Sequence, residues 1–238
     1  MSSNRREFVQ GSAAALLYGA AGPSWSAERP LLEQMRWLNP PASAQIREGR
    51  LTVQSAAKTD FWRKTFYGYI TDDGHFLHLP VQGEFRFEAR VHGKYADQYD
   101  QAGLMVRANE TQWIKCGTEL VDGKRNASVV FTRDFSDWST LPDLSQSAPI
   151  WWRVIRAKDS IETHCSLDGK TFMAVRQGYF PPEHKVDVGL MCVAPEGNGF
   201  EAVFDEIKLE SQATLSRIES LALVGVLHTR RIGDLLIE

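Results

Sequence analysis

Hydrophobic and polar residues alternate along most of the chain in short runs, and clusters of turn-forming residues separate the runs. In EFRFEARVHG, residues 84–93, Phe85 and Phe87 alternate with charged residues, which is the period of a half-buried β-strand. Nearly a dozen such runs are divided by clusters such as DDG, VDGK, LDGK and FPPEH. No helical period continues over three turns before Glu210. The pattern predicts an all-β fold of antiparallel strands: a β-sandwich, a jelly roll or a barrel.

The pattern changes in the C-terminal tail. Leu215 and Ile218 begin an apolar stripe with helical spacing, which predicts a helix from about Gln212 to Leu227. We therefore expect one sandwich domain over residues 28–210 and a separate tail, in part helical, over residues 211–238.

Residues 1–27 have the features of a targeting signal. The paired Arg5 and Arg6 are followed by Phe8 and then by a stretch of small and apolar residues. This order resembles a twin-arginine export signal, which carries folded proteins across the bacterial inner membrane. The apolar stretch is too short to span a bilayer stably. We expect a periplasmic or secreted protein that meets the membrane only during export, with a short helical tail or a signal anchor as the alternative.

The composition of the chain excludes some classes of binding partner. The chain has 238 residues, a net charge of −3 and no long basic run, which argues against nucleic acid or an anionic membrane surface. The three cysteines, Cys116, Cys165 and Cys192, each lie in a strand-like run and form no C-x-x-C motif. We interpret them as buried free thiols.

No metal site or cofactor site is expected. His75 and His78 are spaced so that their rings face opposite sides of a strand, and the segment Asp72-Asp73-Gly74 lacks the further acids of a calcium loop. The sequence has no nucleophile elbow, phosphate loop or nucleotide fingerprint.

Residues 100–132 predict three neighbouring strands in a defined register. A loop centred on Glu110 reverses the first strand, and Asp122-Gly123 is a strong two-residue hairpin turn because both residues tolerate positive φ. The predicted pairs are Gln101–Glu119, Met105–Lys115 and Arg107–Trp113 across the first turn, and Glu119–Asn126, Gly117–Ser128 and Trp113–Thr132 across the second.

Paired residues share a face of the sheet, so the three strands present two different faces. The hydrophobic face carries Leu104, Val106, Ile114, Cys116, Val129 and Phe131. The mixed face carries Gln101, Arg107, Trp113, Lys115, Glu119, Asn126, Ser128 and Thr132. We interpret the mixed face as the concave side of a curved sheet that binds a polar ligand with flat apolar patches, such as a sugar. An exposed Trp113 favours this interpretation over a solvated face with cross-strand ion pairs.

Six ordered motifs carry a family resemblance. They are TDFW (59–62), YDQAGLMVR (99–107), WIKCGTE (113–119), SDWS (136–139), SLDGKTF (166–172) and VGLMCVAPEGNGFEAVF (188–204). Together they resemble the concanavalin-like family catalogued as domain of unknown function 1349, which includes a fungal protein named as a regulator of enolase. The resemblance covers about residues 37–209 and implies a concanavalin A-like jelly roll, the fold of legume lectins and many glucanases. It supplies no activity, and the export signal argues against a cytosolic role on enolase.

Catalysis is a second hypothesis. Glycoside hydrolysis requires two carboxylates roughly 5–9 Å apart. Glucanases of this fold place them as Glu-x-Asp-x-Glu, whereas the matching strand here, from Lys115 to Glu119, has one acid. A partner for Glu119 could come from Asp60, Asp100 or Asp137. Lys115 is expected to hold Glu119 ionised, which suits a base or nucleophile better than an acid.

Two aromatic motifs complete the candidate site. SDWS is interpreted as a loop with Asp137 and Trp138 at the rim of the concave face, and an Asp-capped turn with a buried Trp is the alternative. In TDFW, Trp62 packs and Asp60 reaches the groove. The predicted ligand-binding residues are Asp60, Gln101, Arg107, Trp113, Lys115, Glu119, Asp137 and Trp138.

Three functional hypotheses follow. The first is an exported, lectin-like carbohydrate-binding domain that is not an enzyme and takes a glycan or other polar small ligand. The second is a carbohydrate-active hydrolase or lyase with Glu119 as catalytic acid or base. The third is a protein-interaction or regulatory scaffold.

Overall fold

The computed structural model of the protein describes residues 29–142 and 147–211. These residues form one short helix and sixteen strands. They are α1 (Leu31–Gln34), β1 (Arg36–Leu38), β2 (Ser43–Arg47), β3 (Arg50–Gln54), β4 (Phe61–Arg63), β5 (Ile70–Asp72), β6 (His75–Val81), β7 (Phe85–Gly93), β8 (Gln101–Asn109), β9 (Gln112–Val121), β10 (Lys124–Arg133), β11 (Phe135–Pro142), β12 (Ile150–Ala157), β13 (Ser160–Ser166), β14 (Met173–Tyr179), β15 (Val186–Val193) and β16 (Glu201–Ser211).

The strands form two seven-stranded sheets and one two-stranded sheet. The first sheet has the order β1-β6-β15-β8-β9-β10-β11, and the second has the order β14-β13-β12-β7-β16-β3-β2. Strands β4 and β5 pair only with each other. Each neighbouring pair is antiparallel. The predicted all-β, antiparallel sandwich of jelly-roll type is confirmed.

The predicted register of the three central strands is also confirmed. Gln101 pairs with Glu119 and Arg107 with Trp113 between β8 and β9. Glu119 pairs with Asn126 and Trp113 with Thr132 between β9 and β10. Both turn residues, Asp122 and Gly123, have positive φ, at 50° and 72°, which is the two-residue hairpin geometry expected from their identities.

The main core lies between the two large sheets. Strand β12 shows how alternation produces it, because Trp152 and Val154 are buried while Trp151 and Arg153 are partly exposed on the outer side. All three cysteines are free and buried, as predicted, and burial raises the pKa of each thiol. They therefore act as small apolar residues in the packing.

Two segments that form strands were not predicted as strands from the sequence. SDWS lies in β11, not in a loop, and TDFW continues into β4. Strand β11 lies at the edge of the first sheet and lacks a regular alternation of buried and exposed residues, so the period-two signal is weak there.

The predicted signal over residues 1–27 and the predicted helix from about Gln212 to Leu227 lie outside the described residues. Among those described, no helix is long and apolar enough to cross a membrane.

The hairpin formed by β4 and β5 covers part of the outer face of the first sheet. Its residues Phe61 and Trp62 pack with Met105, Trp113 and Val130 of that face in a second hydrophobic cluster. We call β4, β5 and their connection the covering hairpin. It gives the first sheet a hydrophobic layer on both of its faces.

Candidate functional site

Two cavities open on the outer face of the first sheet. The predicted single groove is therefore wrong in its extent. We call the first cavity the aromatic pocket; it is lined by Asp60, Trp62, Tyr67, Tyr69, Tyr99, Lys115, Glu119, Val130, Trp138, Pro195 and Glu196. The second is lined by Arg36, Trp37, Leu38, Phe76, His78, Arg107, Ala108, Asn109 and Asp187. Of the eight predicted site residues, Asp60, Lys115, Glu119 and Trp138 meet in the aromatic pocket.

The prediction that Trp113 is exposed and binds a ligand is wrong, because its side chain is buried. The residue is 0% exposed and meets Phe61 edge to face, with ring centroids 6.2 Å apart. Its Nε1 donates to the carbonyl of Glu110 at 3.2 Å. The covering hairpin removes this ring from solvent, so Trp113 is part of the second hydrophobic cluster and is not a surface for a ligand.

Three further predicted residues lie away from the aromatic pocket. Arg107 lines the second cavity, where it binds the Asp72 carboxylate through two hydrogen bonds of 2.6 and 2.7 Å. Asp137 is exposed on the side of β11 opposite to Trp138, because successive strand residues point to opposite faces. Gln101 is 0% exposed beside Glu119, and neither polar atom of its amide finds a partner among the described residues.

A buried ion pair forms the floor of the aromatic pocket. Lys115 Nζ lies 2.7 Å from Asp60 Oδ1, and the two side chains are 3% and 11% exposed. The same oxygen accepts the backbone N–H of Phe61 at 2.7 Å, which aligns the carboxylate at the start of β4. Within residues 29–142 and 147–211, Oδ2 of Asp60 takes no hydrogen bond, so this oxygen is available to a ligand.

Glu119 forms a second polar element beside this pair. Trp138 Nε1 donates to Glu119 Oε2 at 3.0 Å and also lies 3.1 Å from Ser128 Oγ. Burial raises the pKa of Glu119 to about 7, and this effect outweighs the opposite effects of Lys115 and of the hydrogen bonds from Ser128 and Trp138. The expectation that Lys115 keeps Glu119 ionised is therefore wrong. Near neutral pH this carboxyl group can both donate and accept a proton.

Aromatic rings form the walls of the pocket at several angles. Tyr67 stacks on Tyr69 with centroids 5.4 Å apart and meets Trp62 at an interplanar angle of 72°. Tyr99, which forms a hydrogen bond with Tyr67, meets Trp138 at 86°. Tyr67, Tyr69 and Trp138 are 45%, 46% and 41% exposed, so their surfaces are accessible to a ligand.

Tyr99 has a strained backbone. Its φ is +66°, in the left-handed region that non-glycine residues rarely adopt. A hydrogen bond with Tyr99 is the largest of the effects that raise the pKa of Tyr67 to about 12. Backbone strain of this kind clusters at functional sites, which agrees with the position of Tyr99 in the pocket wall.

Tyr67, Tyr69 and Tyr99 line the pocket but were not predicted from the sequence. A signal was present, because the segment KTFYGYI, residues 64–70, concentrates aromatic residues one position after TDFW. Phe66 of this segment is 93% exposed. Residues 66–70 include four exposed large apolar side chains, and contiguous patches of this kind mark interaction sites, so the segment could have been interpreted as a recognition element.

The chemistry of the pocket fits a small ring-shaped ligand. The pocket encloses about 90 Å³ and opens to solvent. Rings line its sides, while Asp60, Lys115 and Glu119 supply hydrogen-bonding groups, which is the usual composition of a small-molecule site. Among the described residues, no group of three His, Cys, Asp or Glu side chains could hold a metal ion.

The second cavity contains one ion pair and one contact between a histidine and a carboxylate. Arg107 is bound to Asp72, and His78 Nδ1 lies 3.1 Å from Asp187 Oδ1 in a geometry that does not form a hydrogen bond. Burial lowers the pKa of His78 more than Asp187 raises it. The other histidine of the pair, His75, bonds the backbone of its neighbours and is structural.

Comparisons with known proteins give a family and a fold. A family model described as "Protein of unknown function (DUF1349)" matches residues 37–212. The chain is 40% identical over 178 residues to "Regulation of enolase protein 1" of Saccharomyces cerevisiae, covering 75% of this chain and 90% of that protein.

Solved structures share the sandwich. A functionally unknown protein from Saccharomyces cerevisiae is similar with a TM-score of 0.73 at 40% identity, covering 76% of this chain and 97% of that one. The carbohydrate-binding module CBM66 from Bacillus subtilis is similar with a TM-score of 0.50 at 10% identity, covering 74% of this chain and 95% of that module. At 10% identity the likeness to CBM66 concerns the fold alone.

Proposed function

The chain belongs to the DUF1349 family of proteins of unknown function, and from this premise we propose that it is a carbohydrate-binding domain whose ligand occupies the aromatic pocket. The observation that carries the proposal is the combination of accessible aromatic rings with a polar floor on one sheet face. A sugar has the complementary features, since its C–H faces pack on rings and its hydroxyl groups bond carboxylate and ammonium groups. The fold shared with CBM66 is compatible with this function.

The pocket favours one sugar unit over a long chain lying flat. The covering hairpin separates the aromatic pocket from the second cavity, because Phe61 and Trp62 fill the outer face between them. A ligand therefore inserts one unit between Tyr67, Tyr69 and Trp138, and any further units extend into solvent.

Trp138→Ala tests the proposal. On a ligand selected with a glycan array, we expect this substitution to weaken binding by about tenfold or more, because it removes an aromatic anchor from the pocket. Titration calorimetry on the folded protein measures the loss. Trp138→Phe should retain more of the affinity, since it keeps a ring and loses only the N–H bound to Glu119.

The matched control is Trp151→Ala, on the outer side of the second sheet. Its Nε1 donates to Glu206, far from the pocket residues, so binding should not change. Equal losses in the two alanine variants, or no binding of any glycan by the wild type, would rule out the pocket as a carbohydrate site.

Glycoside hydrolysis is a second candidate, favoured by the state of Glu119. A carboxyl group with a pKa of about 7 can protonate a leaving oxygen near neutral pH, and Asp60 supplies a second carboxylate in the same pocket. Release of reducing ends by the wild type that falls at least about a hundredfold in Glu119→Gln would establish this activity. Binding without turnover leaves the non-catalytic function in place.

We also propose that the chain is exported, on the basis of Arg5, Arg6 and Phe8 in its N-terminal segment. Replacing both arginines by lysine should leave the precursor in the cytoplasm of a bacterial host, because the export receptor reads the pair. A fractionation blot measures the distribution. An unchanged periplasmic yield would contradict the proposal.

A further inference from the structure

The aromatic pocket has an excess of acidic groups. Its lining includes the carboxyl groups of Asp60, Glu119 and Glu196 and a single ammonium group, that of Lys115. The ammonium is already bound to Asp60 at 2.7 Å, and its side chain is 3% exposed. An anionic ligand would therefore meet two further acids and a lysine whose charge is already neutralised.

Glu119 lacks a cationic partner at hydrogen-bonding distance. Its side-chain hydrogen bonds come from the neutral groups of Trp138 and Ser128, and among the described residues no lysine, arginine or histidine nitrogen lies within 4.0 Å of its carboxyl group. A buried carboxylate without an ion pair is costly. A positive group on the ligand would supply the missing partner.

The rings of the pocket are also free of protein cations. The described residues make seven contacts between a cationic side chain and an aromatic ring, on Phe135, Trp151, Phe61, Tyr95, Phe172, Phe180 and Phe131. None involves Trp62, Tyr67, Tyr69, Tyr99 or Trp138. Trp62 meets Tyr67 at 72° and Tyr99 meets Trp138 at 86°, so the rings that line the pocket have several orientations. Aromatic rings attract ammonium groups through their negative faces.

We propose that the sugar recognised by the aromatic pocket carries an ammonium group, as a glucosamine unit does, and that this group lies between Glu119 and the aromatic rings. The inference rests on the proposed carbohydrate-binding function and specifies the chemical class of the ligand. The ring of the sugar packs on the pocket walls while its cation provides the partner that Glu119 lacks.

Proton release is an independent consequence. Because burial raises the pKa of Glu119 to about 7, most of this group is protonated at about pH 6. A cation beside it favours the ionised form, so binding expels a proton. Neutral sugars do not have this effect. The number of protons released therefore distinguishes a charged ligand in contact with Glu119 from a sugar that binds by stacking alone.

The test is calorimetry at about pH 6 with three tetrasaccharides built from glucosamine, N-acetylglucosamine and glucose. Titrations in two buffers of different ionisation enthalpy give the proton count. We expect the glucosamine ligand to bind about tenfold or more tightly than the other two and to release close to one proton. Glu119→Gln should release none. Glu196→Gln, a substitution of an exposed side chain, should reduce the preference without a risk to folding.

The outcomes separate this inference from the proposed function. Equal binding of the three sugars overturns the inference and leaves carbohydrate binding intact, as does a preference for glucosamine that persists in both Glu119→Gln and Glu196→Gln. A parallel titration with tetramethylammonium serves as a control, and binding of this cation without binding of any of the three sugars overturns both. Tight binding of the glucosamine ligand with proton release that depends on Glu119 supports both.

Discussion

Trp113→Ala is expected to lower the free energy of unfolding by about 3–5 kcal/mol, the range for removing a large ring from a packed core. Trp113 is 0% exposed and packs on Phe61 beneath the covering hairpin. Its removal leaves a cavity between the hairpin and the first sheet, which neither β9 nor β4 can close without breaking its strand pairing. Urea denaturation monitored by circular dichroism measures the change.

Trp151→Ala provides the control for this substitution, because Trp151 is partly exposed on the outer side of the second sheet. A change of no more than about 1 kcal/mol is expected there. The same small change at Trp113 would show that the covering hairpin does not pack on the sheet. Cys116→Asp should also unfold the protein, since Cys116 lies on the opposite, fully buried face. Substitutions on either face of β9 are therefore expected to destabilise the protein.

Lys115→Met should be comparably destabilising, by about 3–5 kcal/mol, because it leaves the Asp60 carboxylate buried without its counterion. The pair is 2.7 Å apart and almost wholly removed from water. The loss of stability comes from the charge that stays buried without a partner, because the ion pair itself contributes little net stability. The double variant Lys115→Met with Asp60→Asn removes both charges and should recover a large part of the loss.

An exposed ion pair serves as the comparison. Arg86 and Glu210 approach to 3.2 Å, with side chains 45% and 55% exposed. Arg86→Met should change the free energy of unfolding by no more than about 1 kcal/mol. If Lys115→Met were as mild, or if the double variant were less stable than Lys115→Met alone, the ion pair would not be the element that holds Asp60 in the pocket floor.

The register of β8, β9 and β10 could be read from the sequence because its determinants are local. Asp122 and Gly123 fix the second turn through their tolerance of positive φ, and the strand period then assigns each residue to a face. The sequence analysis therefore brought Lys115 and Glu119 to one face correctly. Asp60 and Trp138 were assigned to the same site from motifs alone and do line the aromatic pocket.

The position of the covering hairpin on the first sheet could not be predicted from the sequence in the same way. Its contacts with the first sheet join residues far apart in the chain, such as Phe61 with Trp113 and Arg63 with Ser136. Alternation in β9 predicts which side chains share a face, but it cannot tell whether that face meets water or another element. This is why Trp113 was expected at the surface and Arg107 was expected in the same groove as Glu119.

The charge state of Glu119 could not be predicted from the sequence for a related reason. Proximity to Lys115 and loss of water act in opposite directions on its pKa, and the pairing register gives only the first. The degree of burial depends on Trp138 and on the walls of the pocket, which are contributed by separate parts of the chain.

The covering hairpin also separates residues that line the aromatic pocket from the strands that define the sandwich. Tyr67 and Tyr69 belong to a segment whose strands pair with neither large sheet, so substitutions there do not alter the registers that define the sandwich. If the aromatic pocket holds the proposed ligand, specificity can diverge among related proteins through changes in the hairpin connection while Phe61 and Trp62 remain as its anchors. We expect relatives with different ligands to differ first within residues 64–70.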